Sequence, residues 1–206
     1  MTQKEKIMNK RDFLKLSGAT TAALFTGIPG EIMAKPNSLS LDLIEGLSPG
    51  IIKPGTAKAV FFGFSTCPMT CDPAMAMLKQ AIDRAAVTPN ELQIIFVSVW
   101  PYDENEGDSP EKIQAMFERH QITDFAKGIA TQKNDYQKRI HLKRTEDRFF
   151  VFANNEKENP FKHRAFMYFF DENNKFQKPA VLSKANDLRS KKQIVSELIS
   201  AIKKVT

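Results

Sequence analysis

The chain has few cysteines, few histidines and no long apolar stretch. Only two cysteines, three histidines and one tryptophan occur among 206 residues. No run of 18 or more apolar residues is present, which argues against a conventional membrane-spanning helix. The 30 basic and 24 acidic residues are spread along the sequence and form no long Lys/Arg block. We therefore expect a solvated surface and no nucleic-acid partner.

What the chain does have is a globular composition. Hydrophobic residues make up 42% and charged residues 26% of the sequence, and its length suits one domain with an appendage. The 16 phenylalanines predict a large core, which does not need a disulfide for its stability.

The first 34 residues have the pattern of an export signal. A polar, basic start leads into the mildly apolar stretch LSGATTAALFTGI, which is too short to span a bilayer, and Ala34 is a suitable cleavage point. The segment KRDFLK resembles the twin-arginine signal, with Lys10 in place of the first Arg. We expect an export signal at 1–34, a lead-in segment at 35–56 and a folded domain at 57–206. Such a protein would lie in the periplasm or at the outer face of a bacterial cytoplasmic membrane, held to the membrane if the signal is uncleaved.

Hydrophobic patterning after the lead-in predicts a strand, a helix, a strand and a helix. Residues 59–64 and 92–99 are short apolar runs typical of strands buried on both faces. Between them we expect a helix with Asp72 as N-cap and Pro73 as its first residue. Ser109 is the expected N-cap of the next amphipathic helix.

The second half of the chain is predicted to add two strands and a final helix. The runs RFFVF and RAFMYFF are strand-like, and DENNKF after the second is a turn. Residues 190–204 form an amphipathic helix with apolar positions at Ile194, Val195, Leu198 and Ile202. Weaker elements are a poor strand near 41–44, an edge strand near 127–130 and a helix near 132–140.

This order predicts an α/β, thioredoxin-like fold with a central mixed sheet flanked by helices. A βαβ unit followed by a ββα unit is the skeleton of that fold. Functional groups of such sheets gather beyond the carboxyl ends of the parallel strands, where the cysteine segment STCPMTC lies. If the strand at 165–170 runs antiparallel beside the first strand, the residues before Ala165 face the cysteines. His163 is among them.

The two cysteines, Cys67 and Cys71, have three candidate roles. A disulfide between them would close a tiny loop, which gives the least stabilisation, so a structural crosslink is the weakest interpretation. The helix that follows directs its positive end towards Cys71, and we expect this to lower a thiol pKa. A thiolate serves equally in thiol–disulfide exchange and as a metal ligand. The residues alone therefore leave a redox pair and a metal site open.

Of the three histidines, His163 is the one that the predicted topology brings to the cysteines. His120 ends an amphipathic helix and can interact with its negative end, and we expect His141 to be solvated in a basic segment. Two thiolates and one imidazole form a soft ligand set that suits Cu(I), tolerates Cu(II) and would accept Zn(II) with a water. The candidate metal ligands are therefore Cys67, Cys71 and His163.

The order and spacing of these motifs resemble the Sco/SenC family. The similarity rests on FFGFSTCPMTC before a helix, IIFVSV before an acidic loop with DSPEKI, and a late His before an aromatic strand and DENNKF, over residues 57–206. It implies a thioredoxin-like protein of respiratory membranes that binds one copper ion, Cu(I) or Cu(II), through Cys67, Cys71 and His163. It also implies a metallochaperone, rather than an enzyme, that helps to assemble the copper centre of cytochrome c oxidase. The implied partner is a respiratory copper protein such as an oxidase subunit. The alternative function is that of a thiol–disulfide oxidoreductase, which would use Cys67 and Cys71 without stable metal binding.

The chain departs from the family pattern around these motifs. Lys162 and Arg164 flank the histidine, where the family has Asp and a small hydroxyl residue, and these cations lower the pKa expected for His163. Trp100 occupies the position of a family acidic residue. Asp72 separates the second cysteine from the following proline.

Several other residues near the cysteines have competing interpretations. Met69 is a minor candidate for an auxiliary copper ligand, whereas Met75 and Met77 are better explained by core packing or exposure. Trp100 and Tyr102 are expected to cover the sheet edge. The acidic residues of the next loop, Asp103, Glu104, Glu106 and Asp108, lack calcium-loop spacing and are expected to be solvated.

Overall fold

Five strands form a mixed sheet at the centre of the computed structural model. They are β1 (Ala57–Gly63), β2 (Leu92–Ser98), β3 (Ala126–Ile129), β4 (Ala165–Phe170) and β5 (Phe176–Ser183), in the spatial order β3-β2-β1-β4-β5. The structure describes residues 39–68, 70–151, 165–183 and 190–206, which all lie within one compact unit. The predicted export signal at 1–34 lies outside these residues. Among the residues described, no helix has the length and apolarity needed to cross a membrane.

The helices connect the strands and flank the sheet, which confirms the predicted α/β, thioredoxin-like fold class. They are α1 (Asp42–Leu47), α2 (Cys71–Ala85), α3 (Pro110–Arg119), α4 (Tyr136–Arg148) and α5 (Lys191–Val205). Ser109 caps α3 as predicted, because its side chain accepts a hydrogen bond from the Lys112 amide and Pro110 stands at the first position, where its missing N–H costs nothing. The four apolar positions predicted for the final helix are all buried on α5.

The sheet centre consists of β1 and β2, which pair in parallel and are buried at every position. Continuous apolar runs are typical of strands covered on both faces. The predicted edge strand near 127–130 is confirmed as β3, which pairs in parallel with β2. Strand β4 runs antiparallel to β1, with Phe61 opposite Met167. The amino end of β4 therefore lies at the same sheet edge as the carboxyl end of β1, as predicted.

Two strand predictions are wrong, and one predicted helix is displaced along the chain. The poor strand expected near 41–44 is helix α1. The strand expected from RFFVF is not formed by its described residues, because α4 continues to Arg148, Phe149 is its C-cap and Phe150 has a left-handed φ of 53°. The helix predicted near 132–140 begins later, at Tyr136, and continues further, to Arg148.

Strand β4 has a second antiparallel neighbour, β5, which the sequence pattern did not predict. It pairs with β4 after the DENNKF turn, so the ββα order is retained with the hairpin shifted along the chain. Pro179 lies within this strand, and an edge strand tolerates proline because one of its sides needs no ladder donors. Phe149, from the mispredicted strand, packs instead against Phe62 and Tyr168, with ring centroids 5.1 and 5.0 Å away.

Candidate site at the cysteine loop

Both cysteines lie in a segment that we call the cysteine loop, residues 64–72, which runs from the carboxyl end of β1 through the first two residues of α2. Met69 within it is outside the described residues. The loop backbone is tightly turned, because the Cys67 amide donates to the Phe64 carbonyl at 3.2 Å and the Asp72 amide donates to the Cys67 carbonyl at 3.1 Å. Both cysteines carry thiols and are not joined in a disulfide. Cys67 is 7% exposed and Cys71 0%, so the loop folds its two sulfurs inward.

Cys71 is the first residue of α2, and Thr70 occupies the N-cap position. The helix therefore begins two residues before Pro73, and the prediction of Asp72 as N-cap is wrong. The Cys71 sulfur lies directly above the end of β1: a Cβ atom added to Gly63 would stand 2.8 Å from Cys71 Sγ. A glycine within a strand often marks such a close approach.

The two sulfurs contact each other, and this raises the pKa of Cys71. The first cause is the hydrogen bond between Cys71 and the Cys67 side chain, and the second is burial. A hydrogen bond from the Phe64 amide opposes both, because it stabilises the thiolate. The expectation that the helix start lowers the pKa is wrong for Cys71, since at this buried position the neighbouring sulfur and desolvation outweigh the helix dipole.

A buried carboxylate supports the loop from below. Asp108 is fully buried and accepts three hydrogen bonds: from the Ser65 amide at 2.7 Å, from Ser65 Oγ at 2.7 Å and from Ser98 Oγ at 2.9 Å. Burial raises its pKa, while the hydrogen bonds from the two serines lower it. The prediction of a solvated Asp108 is therefore wrong, because these three donors replace water around the carboxylate.

A second carboxylate anchors the far end of the loop. Asp72 Oδ1 is 3.0 Å from Arg119 Nη2 and 2.9 Å from His120 Nε2. His120 follows α3 as its C-cap, so it lies at the helix end that the sequence indicated. Its imidazole, however, contacts the residue beside Cys71, which the sequence analysis did not anticipate.

The predicted ligand set is only partly within the described residues. Cys67 and Cys71 are adjacent, whereas His163, its neighbours Lys162 and Arg164, and Met69 lie outside the described residues. Across residues 39–68, 70–151, 165–183 and 190–206, no group of three or more His, Cys, Asp or Glu side chains is placed to hold a metal ion. Of the three predicted ligands, the described residues therefore contain the two cysteine sulfurs.

Other side chains singled out in the sequence have structural roles. Met75 and Met77 are buried on α2, so core packing explains both. Trp100 is half-buried and packs edge-on against Phe64, with ring centroids 5.7 Å apart, at the start of the cysteine loop. Asp103 and Glu106 both contact Lys133, and this pairing, led by the hydrogen bond from Lys133, lowers the pKa of Asp103 to about 2.

Sequence reasoning missed four residues around the sulfurs: Gly63, Ser65, Ser98 and Arg119. The glycine in FFGF was a usable signal, because an isolated glycine in an apolar strand indicates a close contact. Ser65 and Ser98 each follow or end a buried strand, but their contact with Asp108 depends on strand pairing and on the path of the loop at 99–108. No local pattern in the sequence indicates that contact.

Comparison with known proteins agrees with this geometry. The family model described as SCO1/SenC matches residues 53–201, and no curated protein matches the chain. Similar solved structures include a SCO1/SenC family lipoprotein from Bacillus anthracis str. Ames, with 19% identity, TM-score 0.51 and coverage of 71% of this chain and 82% of that chain. Arabidopsis thaliana ScoI with copper bound has 18% identity, TM-score 0.51 and coverage of 73% and 86%. Yeast Sco1 with copper bound has 19% identity, TM-score 0.50 and coverage of 74% and 79%.

These structures are similar in fold, and the family model covers most of the chain, including both cysteines. The chain therefore belongs to the SCO1/SenC family.

Proposed function

We propose that this protein is an exported metallochaperone that binds one copper ion through Cys67, Cys71 and His163. The observation that supports it most is the contact between two buried thiols where β1 ends. Two adjacent sulfurs suit a soft cation such as Cu(I). The antiparallel pairing of β4 with β1 supports His163, two residues before β4, as the third ligand. Copper is the cargo of the proposed function.

The chemistry of the thiols fits a copper ligand set. A thiol must lose its proton to bind a metal, so binding releases protons and its affinity depends on pH. Because the pKa of Cys71 is raised, we expect copper uptake to release protons at neutral pH. Burial of both sulfurs excludes water and limits loss of the cargo to the solvent.

The proposed recipient is a respiratory copper protein such as a cytochrome c oxidase subunit. Membership of the family and the copper-bound relatives from Arabidopsis thaliana and yeast support copper handling. The KRDFLK motif supports export. An exported protein would function in the periplasm or at the outer face of the cytoplasmic membrane. Detection of the mature amino terminus near Lys35 in a periplasmic fraction would support this location, and intact cytosolic protein would refute it.

Copper titration of the reduced protein tests the ligand set. We expect one Cu(I) per chain, and we expect Cys67→Ser, Cys71→Ser and His163→Ala each to weaken binding by more than about 100-fold, since even groups that only support a ligand contribute 10- to 100-fold. His141→Ala is the matched control, because its imidazole contacts helix α1 rather than the cysteine loop. Unchanged affinity in His163→Ala would disprove the three-ligand site, and unchanged affinity in Cys71→Ser would disprove copper binding by the loop.

The second candidate function is thiol–disulfide exchange, favoured by the same sulfur contact. Two thiols already within hydrogen-bond reach need little movement to form a disulfide. Cys67 is the better attacking group, because it is slightly more exposed and the raised pKa of Cys71 disfavours its thiolate. A redox titration against glutathione measures the potential of the pair, and a pair that stays reduced in oxidised glutathione would rule out this function.

A further inference from the structure

Both ends of the cysteine loop are fixed by residues that flank a single helix, α3. At the start of the loop, the amide and hydroxyl of Ser65 donate to Asp108, each at 2.7 Å. The carbonyl of the same Ser65 accepts a longer hydrogen bond of 3.5 Å from Arg119 Nη2. All the polar groups of this residue are therefore bound to residues at the two ends of α3.

The end of the loop shares one of these partners, Arg119. Asp72 lies beside Cys71, and its carboxylate contacts Arg119 at 3.0 Å and His120 at 2.9 Å. Arg119 thus bridges the first and last parts of the loop. Asp108 precedes α3 by two residues, and Arg119 and His120 are its last residue and C-cap.

The contacts at opposite ends of α3 are mechanically linked, because a 10-residue helix is a rigid rod about 15 Å long. Ile113, Met116 and Phe117 bury its inner face, and Phe96 of β2 packs edge-on against Phe117 with ring centroids 6.1 Å apart. The core therefore fixes the position of α3, and α3 in turn fixes both ends of the loop.

In this position the loop makes its own reactive sulfur, that of Cys71, inaccessible. Cys71 is 0% exposed and its sulfur rests against Gly63, so no partner can reach that sulfur unless the loop moves. We propose that α3 is a brace that holds the cysteine loop closed, with Asp108 and Arg119 as positioning residues, and that release of these contacts opens the loop and exposes Cys71. The inference goes beyond copper delivery, because access to Cys71 limits metal transfer and disulfide exchange alike.

The test measures loop opening in the full-length, reduced, metal-free protein. Hydrogen exchange of the Cys67 and Asp72 amides, which are bonded within the loop, reports opening without depending on thiol ionisation. We expect Asp108→Asn to accelerate this exchange by about 10- to 100-fold, because the loss of a hydrogen bond to a charged group changes an equilibrium by a factor of that order. Iodoacetamide labelling of Cys71, followed by mass spectrometry, should accelerate in parallel.

A second variant acts at the opposite end of the brace. Asp72→Asn removes the charge that Arg119 and His120 contact, and we expect up to about fivefold faster exchange, since a partly exposed ion pair contributes little. This variant is mild enough to keep the fold if Asp108→Asn does not. Unchanged exchange in both variants would overturn the brace.

Matched controls separate the brace from other effects. Asp103→Asn removes a carboxylate that pairs with Lys133 and lies between β2 and α3, in the segment that also holds Asp108. Asp83→Asn removes a carboxylate on α2 that pairs with Lys79. Neither substitution should alter amide exchange in the cysteine loop. Leu142→Ala, in the buried face of α4, lowers global stability without touching the loop. The brace is wrong if labelling accelerates in Asp108→Asn without faster amide exchange, because that would be an electrostatic effect on the thiol. It is also wrong if Leu142→Ala opens the loop as much as Asp108→Asn.

Discussion

The position of Cys71 depends on a side chain that is missing at Gly63. A Cβ atom at Gly63 would stand 2.8 Å from Cys71 Sγ and 2.8 Å from Phe61 Cε1, and 3.3 Å from Phe96 Cε2. Distances below 3 Å between such atoms are repulsive, so any larger residue must displace the sulfur or an aromatic ring of the core. The glycine is therefore part of the site, since it lets the sulfur rest on the strand end.

We expect Gly63→Ala to lower the free energy of unfolding by about 1–3 kcal/mol, the usual cost of an added carbon in a packed core. Urea unfolding followed by circular dichroism measures the loss. The contact with the sulfur is isolated by repeating the substitution in Cys71→Ala, where the cost should be smaller by about 1 kcal/mol if the two positions are coupled. An equal cost in both backgrounds would show that the sulfur does not constrain Gly63.

Much of the fold follows from local patterns, and the exceptions have physical causes. Some sequence patterns predict their elements well, because residue spacing and helix capping point to the same structure. They are the buried apolar runs of β1 and β2, the Ser109–Pro110 helix start and the apolar face of α5. The run RFFVF has the composition of a strand, yet Phe149 reaches the core from a helix end, where its ring packs on Phe62. Aromatic burial alone does not distinguish the two.

Strand β5 was missed for the opposite reason. Its sequence FQKPAVLS contains a lysine and a proline, which weaken a strand pattern, and its pairing with β4 supplies the missing preference.

At the site, the adjacency of the two cysteines could be predicted from their spacing. The buried state of Asp108 could not, because it depends on Ser65 and Ser98 from two different strand ends.

Helix α4 illustrates how a polar element is held in place. Only Leu142 and Thr145 of this helix are buried, so apolar packing gives it little support. His141 Nε2 lies 3.0 Å from the Leu43 carbonyl of α1, and its ring occupies the space that a Cβ at Gly46 would fill. The prediction of a solvated His141 is therefore wrong, since this imidazole joins the two helices.

We expect His141→Ala to loosen α4 selectively. The loss of one hydrogen bond of about 1 kcal/mol should accelerate amide exchange along α4 by about fivefold. Hydrogen exchange with mass spectrometry resolves this helix from the rest of the chain. Lys143→Ala, an exposed position of the same helix, should have no such effect, and equal acceleration in both variants would contradict a specific role for the imidazole.

Two buried charged residues lie at opposite ends of the central strand pair. Lys58 on β1 is fully buried, and its Nζ donates to Asn174 Oδ1 at 2.6 Å. Burial lowers the pKa of Lys58, against an opposing attraction from Asp171. Asp108 lies beyond the other end of β1 and has a raised pKa. Both shifts favour the neutral form, so each residue makes the stability of the whole molecule depend on pH, in different ranges.

The Asp108 contribution operates on the acid side. Its folded pKa is raised above the ordinary value of 3.8, so between these two values the folded protein binds more protons than the unfolded chain. Stability must then fall as the pH rises from about 4 through the raised pKa, and it becomes constant above that. The Lys58 shift acts separately, between its lowered pKa and the ordinary value of 10.5.

Comparison of wild type with Asp108→Asn separates this contribution from all other groups. We expect the unfolding free energy of the wild type minus that of the variant to decrease with rising pH from about pH 4 and then to level off, because the variant lacks the titrating group. Urea unfolding at intervals between about pH 4 and pH 8 gives this difference directly. Asp103→Asn is the control, because the pKa of Asp103 is lowered to about 2. For this variant, the unfolding free energy of the wild type minus that of the variant should rise slightly with pH and be constant above about pH 5. A difference for Asp108 that increases with pH would mean that the three hydrogen bonds to its carboxylate outweigh burial.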